Sequence, residues 1–245
     1  TIGAKGNNTI GVTGVAWNVR LMSLKFLSWR GYGYTSDAVE AINYATKMGV
    51  HVLSNSWGGG GFSQSLLRAI QTYAKQGGVF VAAAGNWAQD NDNRPHYPSS
   101  YRVNNVIAVA STTETDELSY FSNFGEKTVD IAAPGSRIYS TVPKNRYATY
   151  SGTSMATPHV AGVVAILLSQ NRDLSIGDIK TLLKDSVDEV PAVKGKVSWD
   201  GRLNMNKALL ILTAPVTPAI DDCDVRRRNL PNYASKWKCK NNYSY

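Results

Sequence analysis

The chain has 245 residues, of which 43% are apolar and 18% are charged, and its formal net charge is +8. This length suffices for one domain with a sizeable core, and no apolar run is long enough to span a membrane. The 26 lysines and arginines are scattered, which favours a solvated surface over a nucleic-acid interface, and no nucleic-acid motif occurs. The only cysteines are Cys223 and Cys239, so the body of the chain needs no disulfide.

Helical and strand patterns alternate along the chain. Apolar residues at helical spacing predict helices over 35–48 and 63–75. Short apolar runs predict strands over 19–27, 50–53, 79–84, 106–110 and 129–132. Strands that are apolar on both faces and alternate with helices are typical of a parallel sheet covered on both sides. The predicted fold class is therefore α/β, with a mainly parallel twisted sheet between two helical layers.

Glycine-rich loops follow three of the predicted strands, at 29–34, 54–59 and 84–86. In sheets of this class the ligand binds beyond the carboxyl ends of the strands, so these loops are candidates for a binding site. Ordinary turn chemistry explains the glycines in each loop equally well. The loops alone therefore do not identify a function.

A serine, Ser154, stands where an extended segment, 147–151, turns into a helix. The sequence is apolar from Val160 almost without a break to Leu168, which predicts a buried helix. Pro158 is expected in its first turn, where no N–H is needed. A hydroxyl at the positive end of a buried helix suits a nucleophile, because that end stabilises developing negative charge.

The same serine has simpler explanations. A serine at a helix start is more often only an N-cap. The Gly-x-Ser-x-Gly elbow of the α/β-hydrolases is not matched, because Ala156 holds its last position. Spacing alone therefore leaves the cap and the nucleophile open.

The last third of the chain contains two further helix signals. Ser175 and Asp178 form a capping box that predicts a helix through Val187. Residues 200–204 are expected to open a final helix that ends near Leu212. The following residues resemble a linker, which divides the chain into a domain over 1–213 and a basic tail over 214–245. That tail is either disordered or the start of an extension bridged by its two cysteines.

The stretch GTSMATPHVAG at 152–162 resembles the serine motif of the subtilisin-like serine proteases almost letter for letter. Residues 121–125 and 132–135 also resemble sequence of that family, and the resemblance covers roughly 1–212. It implies a subtilisin-like three-layer fold whose N-terminal strands are missing from this chain. It also implies a serine endopeptidase that hydrolyses peptide bonds by a Ser-His-Asp acyl-enzyme mechanism.

The resemblance gives roles to two residues. Ser154 would be the nucleophile, and the side chain of Asn86 would donate to the oxyanion together with the Ser154 backbone N–H. His51, His96 and His159 are each expected to be structural. The family's catalytic histidine and aspartate would lie upstream of Thr1, so the 245 residues alone are expected to be inactive and to fold poorly.

The resemblance also implies a peptide-binding surface. Two backbone edges would pair with an extended substrate in β-augmentation: Gly31, Tyr32 and Gly33 form one, and Ser56, Trp57 and Gly58 the other. Ala84 and Gly85 lead into the oxyanion residue and complete the substrate-binding set. His96 would form the floor of the pocket for the residue before the scissile bond and make that pocket shallow.

The loop over 7–12 is rich in glycine and asparagine, a composition typical of a plain turn. The resemblance implies that it is part of a structural calcium site, with the carbonyls of Gly6, Ile10 and Val12 and the side chain of Asn8 as oxygen ligands. The remaining ligands would lie outside this chain.

The expected partners are protein or peptide substrates and the enzyme's own pro-segment, and the expected protein is a secreted monomer made as a zymogen. The main alternative is a relative that lacks the triad and serves as a peptide-binding module. The presence of both Ser154 and Asn86 favours the protease. An unrelated α/β esterase is disfavoured by Ala156 and by the lack of a suitable downstream histidine.

Overall fold

The computed structural model describes residues 1–214. In chain order the elements are α1 (Thr35–Lys47), β1 (Val52–Asn55), α2 (Gln64–Lys75), β2 (Val79–Ala83), β3 (Val106–Thr112), β4 (Ile131–Pro134), β5 (Ile138–Val142), β6 (Arg146–Tyr150), α3 (Thr153–Gln170), α4 (Ile176–Asp185), β7 (Asp188–Glu189), a 3₁₀ turn (Pro191–Val193), β8 (Gly201–Arg202) and α5 (Met205–Thr213).

The main sheet has the strand order β1-β2-β3-β4-β8-β7. The first five strands run parallel, and β7 is antiparallel to β8. Strands β5 and β6 form a separate antiparallel hairpin that leads into α3. Because β1 to β4 are parallel and in register, the loops after β1 and β2 leave from the same edge of the sheet.

The sheet is covered on both faces, which confirms the predicted α/β architecture. Side chains of β2 alternate between two cores, as the two-residue period of a strand requires. Val79 and Val81 pack into a core with α3 and α4, whereas Phe80 and Ala82 pack into a core with α1 and α2. All four side chains are fully buried, which explains why β2 is apolar without alternation.

Helix α3 is the centre of one helical layer and packs across β1, β2, β3 and β4. It is buried along most of its length, as its apolar sequence predicts. Pro158 lies in the second turn of α3 and not in the first, so that prediction was wrong. A proline there removes one helical hydrogen bond, and the freed carbonyl needs another donor.

The predicted strand over 19–27 is wrong, because no strand is present there. A strand needs a hydrogen-bonded neighbour, and none of the described residues pairs with this segment. Its side chains are also largely solvated, with Leu21 66% and Met22 45% exposed. An apolar run alone therefore does not predict a strand, because strand formation also requires a neighbouring segment to pair with.

Two predictions near the end of the domain have different outcomes. The capping box is confirmed, since Ser175 and Asp178 exchange both of its hydrogen bonds, although α4 ends at Asp185. The final helix begins at Met205 and not at 200, because Gly201 and Arg202 pair as β8 with β4 and β7.

The chain divides into two units, Thr1–Leu212 and Thr213–Tyr245. The first contains the sheet and its helices. The predicted linker beyond residue 214, the basic tail and Cys223 and Cys239 lie outside the described residues. Within residues 1–214, no helix combines the length and the apolar character needed to cross a membrane.

Candidate active site

Ser154 is the second residue of α3, and α3 begins beyond the carboxyl ends of β1 and β2. Ser56, the first residue after β1, meets it through two contacts. The Ser56 hydroxyl donates to the Ser154 carbonyl at 2.8 Å, and the Ser154 hydroxyl lies 3.4 Å from the Ser56 carbonyl. The serine motif and the loop after β1 therefore form one site.

Pro158 explains the first of these contacts. The Ser154 carbonyl is the helical acceptor for residue 158, and proline has no N–H to donate. The Ser56 hydroxyl takes the place of that donor. The helix thus stays continuous while its first turn is fixed to the loop after β1.

Asn86 follows β2 and is held by Thr153, the first residue of α3. Its Oδ1 accepts from the Thr153 N–H at 2.8 Å and from the Thr153 hydroxyl at 3.0 Å. The Gly85 N–H in turn donates to the Thr153 hydroxyl at 3.2 Å. A backbone N–H can only donate, so the accepting atom must be Oδ1 and the Asn86 Nδ2 group is left as a donor.

Two donors converge beside Gly152. An ideal Cβ placed on Gly152 would lie 3.6 Å from Asn86 Nδ2 and 3.6 Å from the Ser154 backbone nitrogen. No residue within 1–214 accepts a hydrogen bond from either donor. A small negative atom in this space would meet two unused N–H groups at the positive end of α3, which is what an oxyanion hole requires.

No histidine contacts Ser154 among the described residues. His51 is exposed, and His159 bonds the Met155 carbonyl on α3 at 2.9 Å. Burial lowers the pKa of both His96 and His159 below the usual 6.5. His96 and His159 are thus held by contacts within the fold, whereas His51 is exposed.

His96 lies next to the loop that follows β1. A side chain on Gly58 would collide with the His96 ring, so the imidazole packs directly against that backbone. The ring also lies 5.3 Å from the Trp87 ring and 3.2 Å, through Nδ1, from the Ser99 hydroxyl. His96 therefore fills the space between the loops after β1 and β2.

The two predicted peptide-pairing edges lie near each other, because Phe26, whose carbonyl lies against Gly33 of the first edge, packs edge-on against Trp57 of the second at 5.1 Å. The first edge is partly occupied: the Tyr32 carbonyl accepts from the Ser28 N–H in a tight turn at 2.8 Å. Gly31 has a φ of +80°, which glycine adopts without strain. The second edge, 56–58, extends from β1 without a strand beside it.

Ala84 and Gly85 differ from those edges. The Ala84 carbonyl accepts from Asn91 Nδ2 at 2.8 Å, and the Gly85 carbonyl accepts from the Asn123 N–H at 2.9 Å. Their carbonyls are therefore already used within the fold. These two residues form a wall of the site, and each carbonyl has one lone pair already engaged within the fold.

The loop predicted to bind calcium is folded around an Asx turn. Asn8 Oδ1 accepts from the Ile10 N–H at 3.1 Å. The loop offers hard oxygen atoms but no carboxylate, and residues 1–214 contain no cluster of three histidine, cysteine or acidic side chains suited to a metal. The residues present thus fit part of a calcium site, in the neutral oxygen donors they supply.

Sequence reasoning missed Thr153, Asn91 and Asn123. The stretch around Asn123 was recognised as family sequence, but nothing local indicates that this side chain reaches the loop after β2, 36 residues earlier in sequence. Thr153 was missed for the same reason, since its partner Asn86 lies 67 residues earlier in sequence.

Comparison with known proteins identifies the family of the chain. The model of the subtilase family matches residues 1–207. Thermitase from Thermoactinomyces vulgaris is 41% identical over 203 residues, which cover 83% of this chain and 70% of thermitase. Subtilisin-like protease 2 from Plasmodium falciparum is 42% identical over 166 residues, which cover 66% of this chain and only 12% of that protein.

Two solved structures resemble the fold. A cold-adapted subtilisin-like serine proteinase superposes with a TM-score of 0.67 at 40% identity, covering 78% of this chain and 67% of that one. A Pseudoalteromonas arctica protease gives a TM-score of 0.78 at 30% identity, covering 87% of this chain and 69% of that one. With the serine, the two oxyanion-type donors and a family match over most of its length, the chain belongs to the subtilase family.

Proposed function

We propose that the natural protein containing this chain is a serine endopeptidase that cleaves peptide bonds by acyl transfer. Ser154 attacks the scissile carbonyl through its hydroxyl, and the negative oxygen that forms is stabilised by Asn86 Nδ2 and the Ser154 N–H. The convergence of these two unused donors beside Gly152 is the observation that supports the proposal.

The base and its orienting carboxylate come from outside the 245 residues. His51, His96 and His159 each have surroundings that do not involve Ser154. A serine hydroxyl without an adjacent base is a weak nucleophile. The isolated chain should therefore hydrolyse no peptide, although it contains the nucleophile and the oxyanion donors.

The substrate is an extended protein segment that lies between the two backbone edges. Gly31, Tyr32 and Gly33 flank one side and Ser56, Trp57 and Gly58 flank the other, and main-chain pairing gives affinity without demanding one sequence. His96, packed beneath Gly58, forms the floor of the pocket before the scissile bond. This predicts poor cleavage after large aromatic residues.

The loop around Asn8 contributes to a structural calcium site whose carboxylate ligands lie elsewhere in the natural protein. Gly6, Ile10 and Val12 would supply carbonyl oxygens and Asn8 its side-chain oxygen. A bound cation would fix the loop and has no part in the chemistry of Ser154.

Further proposals follow from family membership. The protein is made as a secreted zymogen whose pro-segment binds the same site, and it acts as a monomer. The domain over 1–213 is the C-terminal part of the catalytic domain, and 214–245 is a basic tail or the start of an extension.

The test uses the natural protein and a fluorophosphonate, which reacts covalently with activated serines. Peptide mapping should locate the adduct on Ser154, and Ser154→Ala should abolish both labelling and peptide hydrolysis. Ser175 is the matched control, because it also lies at a helix start but should remain unlabelled. A natural protein that binds peptides yet is neither labelled nor hydrolytic would instead establish the peptide-binding module.

A further inference from the structure

The loop after β2 is held from beneath by a buried pair of amides, Asn91 and Asn123. Both side chains are 0% exposed, and Asn123 Nδ2 donates to Asn91 Oδ1 at 3.0 Å. Buried amides without partners are costly, so a satisfied pair at this depth fixes the backbone around it.

Asn123 contacts the loop on both sides of Asn86. Before it, the Asn123 backbone N–H donates to the Gly85 carbonyl at 2.9 Å. After it, Asn123 Oδ1 accepts from the Trp87 N–H at 2.8 Å and from the Gln89 N–H at 3.3 Å. The peptide that carries Asn86 is thus clamped at both ends by one residue.

Gly85 makes this clamp sterically possible. A Cβ at Gly85 would collide with Asn123 Nδ2, and the φ of Gly85 is +112°, in the region that favours glycine. Asn91 completes the arrangement, because its Nδ2 donates to the Ala84 carbonyl at 2.8 Å. With the Thr153 hydroxyl at the Gly85 N–H, the backbone from 84 to 89 therefore has side-chain partners at four separate points.

Asn86 itself is exposed, and within residues 1–214 the only bonds to its side chain go to Oδ1 from Thr153. The direction of Nδ2 consequently depends on where the loop places the Asn86 backbone. An oxyanion donor is effective only within a narrow range of distance and angle.

We propose that Asn123 is a positioning residue for the oxyanion donor, which acts by fixing the 85–89 backbone so that Asn86 Nδ2 converges with the Ser154 N–H. It contacts no reacting atom. This inference rests on the proposed peptidase function, but the clamp itself has a consequence that can be measured without catalysis.

The kinetic test uses the natural protein with Asn123→Ala and the milder Asn123→Ser. The kcat should fall about 10- to 100-fold with KM changed less than about 3-fold, since a misplaced donor fails mainly in the transition state. In an Asn86→Ala background the same substitution should lower kcat by less than about 2-fold, because its target has gone.

Asn105→Ala is the matched control. Asn105 is also 0% exposed and donates to two backbone carbonyls, of Gly78 and Ile70, but it lies at the amino end of β3. It should destabilise the fold comparably and leave kcat within about 2-fold. An equal kcat loss in Asn105→Ala, or an undiminished loss from Asn123→Ala in the Asn86→Ala background, would overturn the proposal.

Hydrogen exchange separates this proposal from the proposed function. In Asn123→Ser the Trp87 and Gln89 amides should exchange at least about 10-fold faster than in the unsubstituted protein, and in Asn105→Ala they should not. If the unsubstituted protein is inactive, the proposed peptidase function is rejected. The exchange rates would still show whether Asn123 fixes the 85–89 backbone. Unchanged exchange in Asn123→Ser would reject the clamp whatever the activity.

Discussion

Helices α3 and α4 both begin near a serine, and the two serines do opposite things. At α4, Ser175 is the N-cap: its hydroxyl accepts from the Asp178 N–H, and Asp178 bonds back to the Ser175 N–H. At α3 the N-cap is Gly152, which has no side chain to offer, and Ser154 lies two residues further on.

The difference shows how a helix start becomes a site. In α4 the capping box satisfies the Ser175 and Asp178 N–H groups with side chains of the helix's own first turn, which stabilises the helix. In α3 the Thr153 N–H is capped by Asn86 from another loop, and the Ser154 N–H has no acceptor among the described residues. The following predictions test that contrast, from the largest effect to the smallest.

Removing the α3 hydroxyl should have the largest effect on activity. Ser154→Ala in the natural protein should lower kcat by at least about 10⁴-fold, because the other hydroxyls of the first turns, on Thr153 and Thr157, are fully buried and already hydrogen-bonded. Thermal stability should hardly change, since the Ser154 hydroxyl makes only one long contact, at 3.4 Å. Activity within tenfold of the unsubstituted protein would show that Ser154 is not the nucleophile.

Removing the donor that Asn86 supplies should have the next largest effect. Asn86→Ala should lower kcat about 10²- to 10³-fold with a smaller change in KM, as loss of one oxyanion donor does in this family. Asn86→Asp is a useful companion, since it keeps the bonds at Oδ1 but replaces the donor with a negative oxygen. A normal rate for Asn86→Asp would contradict the assignment.

Filling the space beside Gly152 should have an intermediate effect. A Cβ there would make only ordinary contacts at 3.6 Å, so Gly152→Ala should fold. It would nevertheless lie between the two donors and lower kcat about tenfold or more, by a cost of about 1.4 kcal/mol in the transition state. Steady-state kinetics checks this, and an unchanged kcat would place the oxyanion elsewhere.

At α4 the corresponding change should affect stability alone. Ser175→Ala removes the capping hydroxyl and should lower the free energy of unfolding by about 0.5–2 kcal/mol. Catalysis should stay unchanged, because Ser175 contacts only its own helix turn. Urea unfolding measures the change in the free energy of unfolding. A lower kcat would show that the start of α4 also affects catalysis, against the contrast with α3.

The two helices should also lose stability in different pH ranges. Burial lowers the pKa of His159 on α3 below 6.5, so its contribution is complete above pH 6.5 and declines as the pH falls from there. Hydrogen bonds from Ser175 lower the pKa of Asp178 on α4 below 3.8, so its contribution is complete above pH 3.8 and declines below.

Melting temperatures of His159→Gln and Asp178→Asn across pH 2–8 check these ranges. Each variant should flatten the curve only in its own range. In His159→Gln part of the loss of stability below pH 6.5 will remain, because burial lowers the pKa of His96 as well. A variant that flattens the other range would show that the assignment of these groups is wrong.

Most of the site was predictable because its main parts are local in sequence. The eleven-residue motif around Ser154 is highly specific, so the family followed from it, and the resemblance then pointed to Ser154 and Asn86 as candidate site residues. Elements with strong periodicity were equally clear, as in α1 and α2. The segment over 19–27 failed because strand pairing depends on a neighbour and not on the run itself.

What the sequence by itself determined is the alternation of buried strands and helices, the capping box of α4 and, through the resemblance, the candidate nucleophile and oxyanion residue. These depend on periodicity and on side chains a few residues apart. Only the tertiary structure decided that Ser56 replaces the donor missing at Pro158, and that Thr153 turns Nδ2 of Asn86 towards Gly152. The physical reason is that each such bond joins residues 67 to 98 positions apart, and a hydrogen bond between distant segments depends on how the whole sheet brings their backbones together.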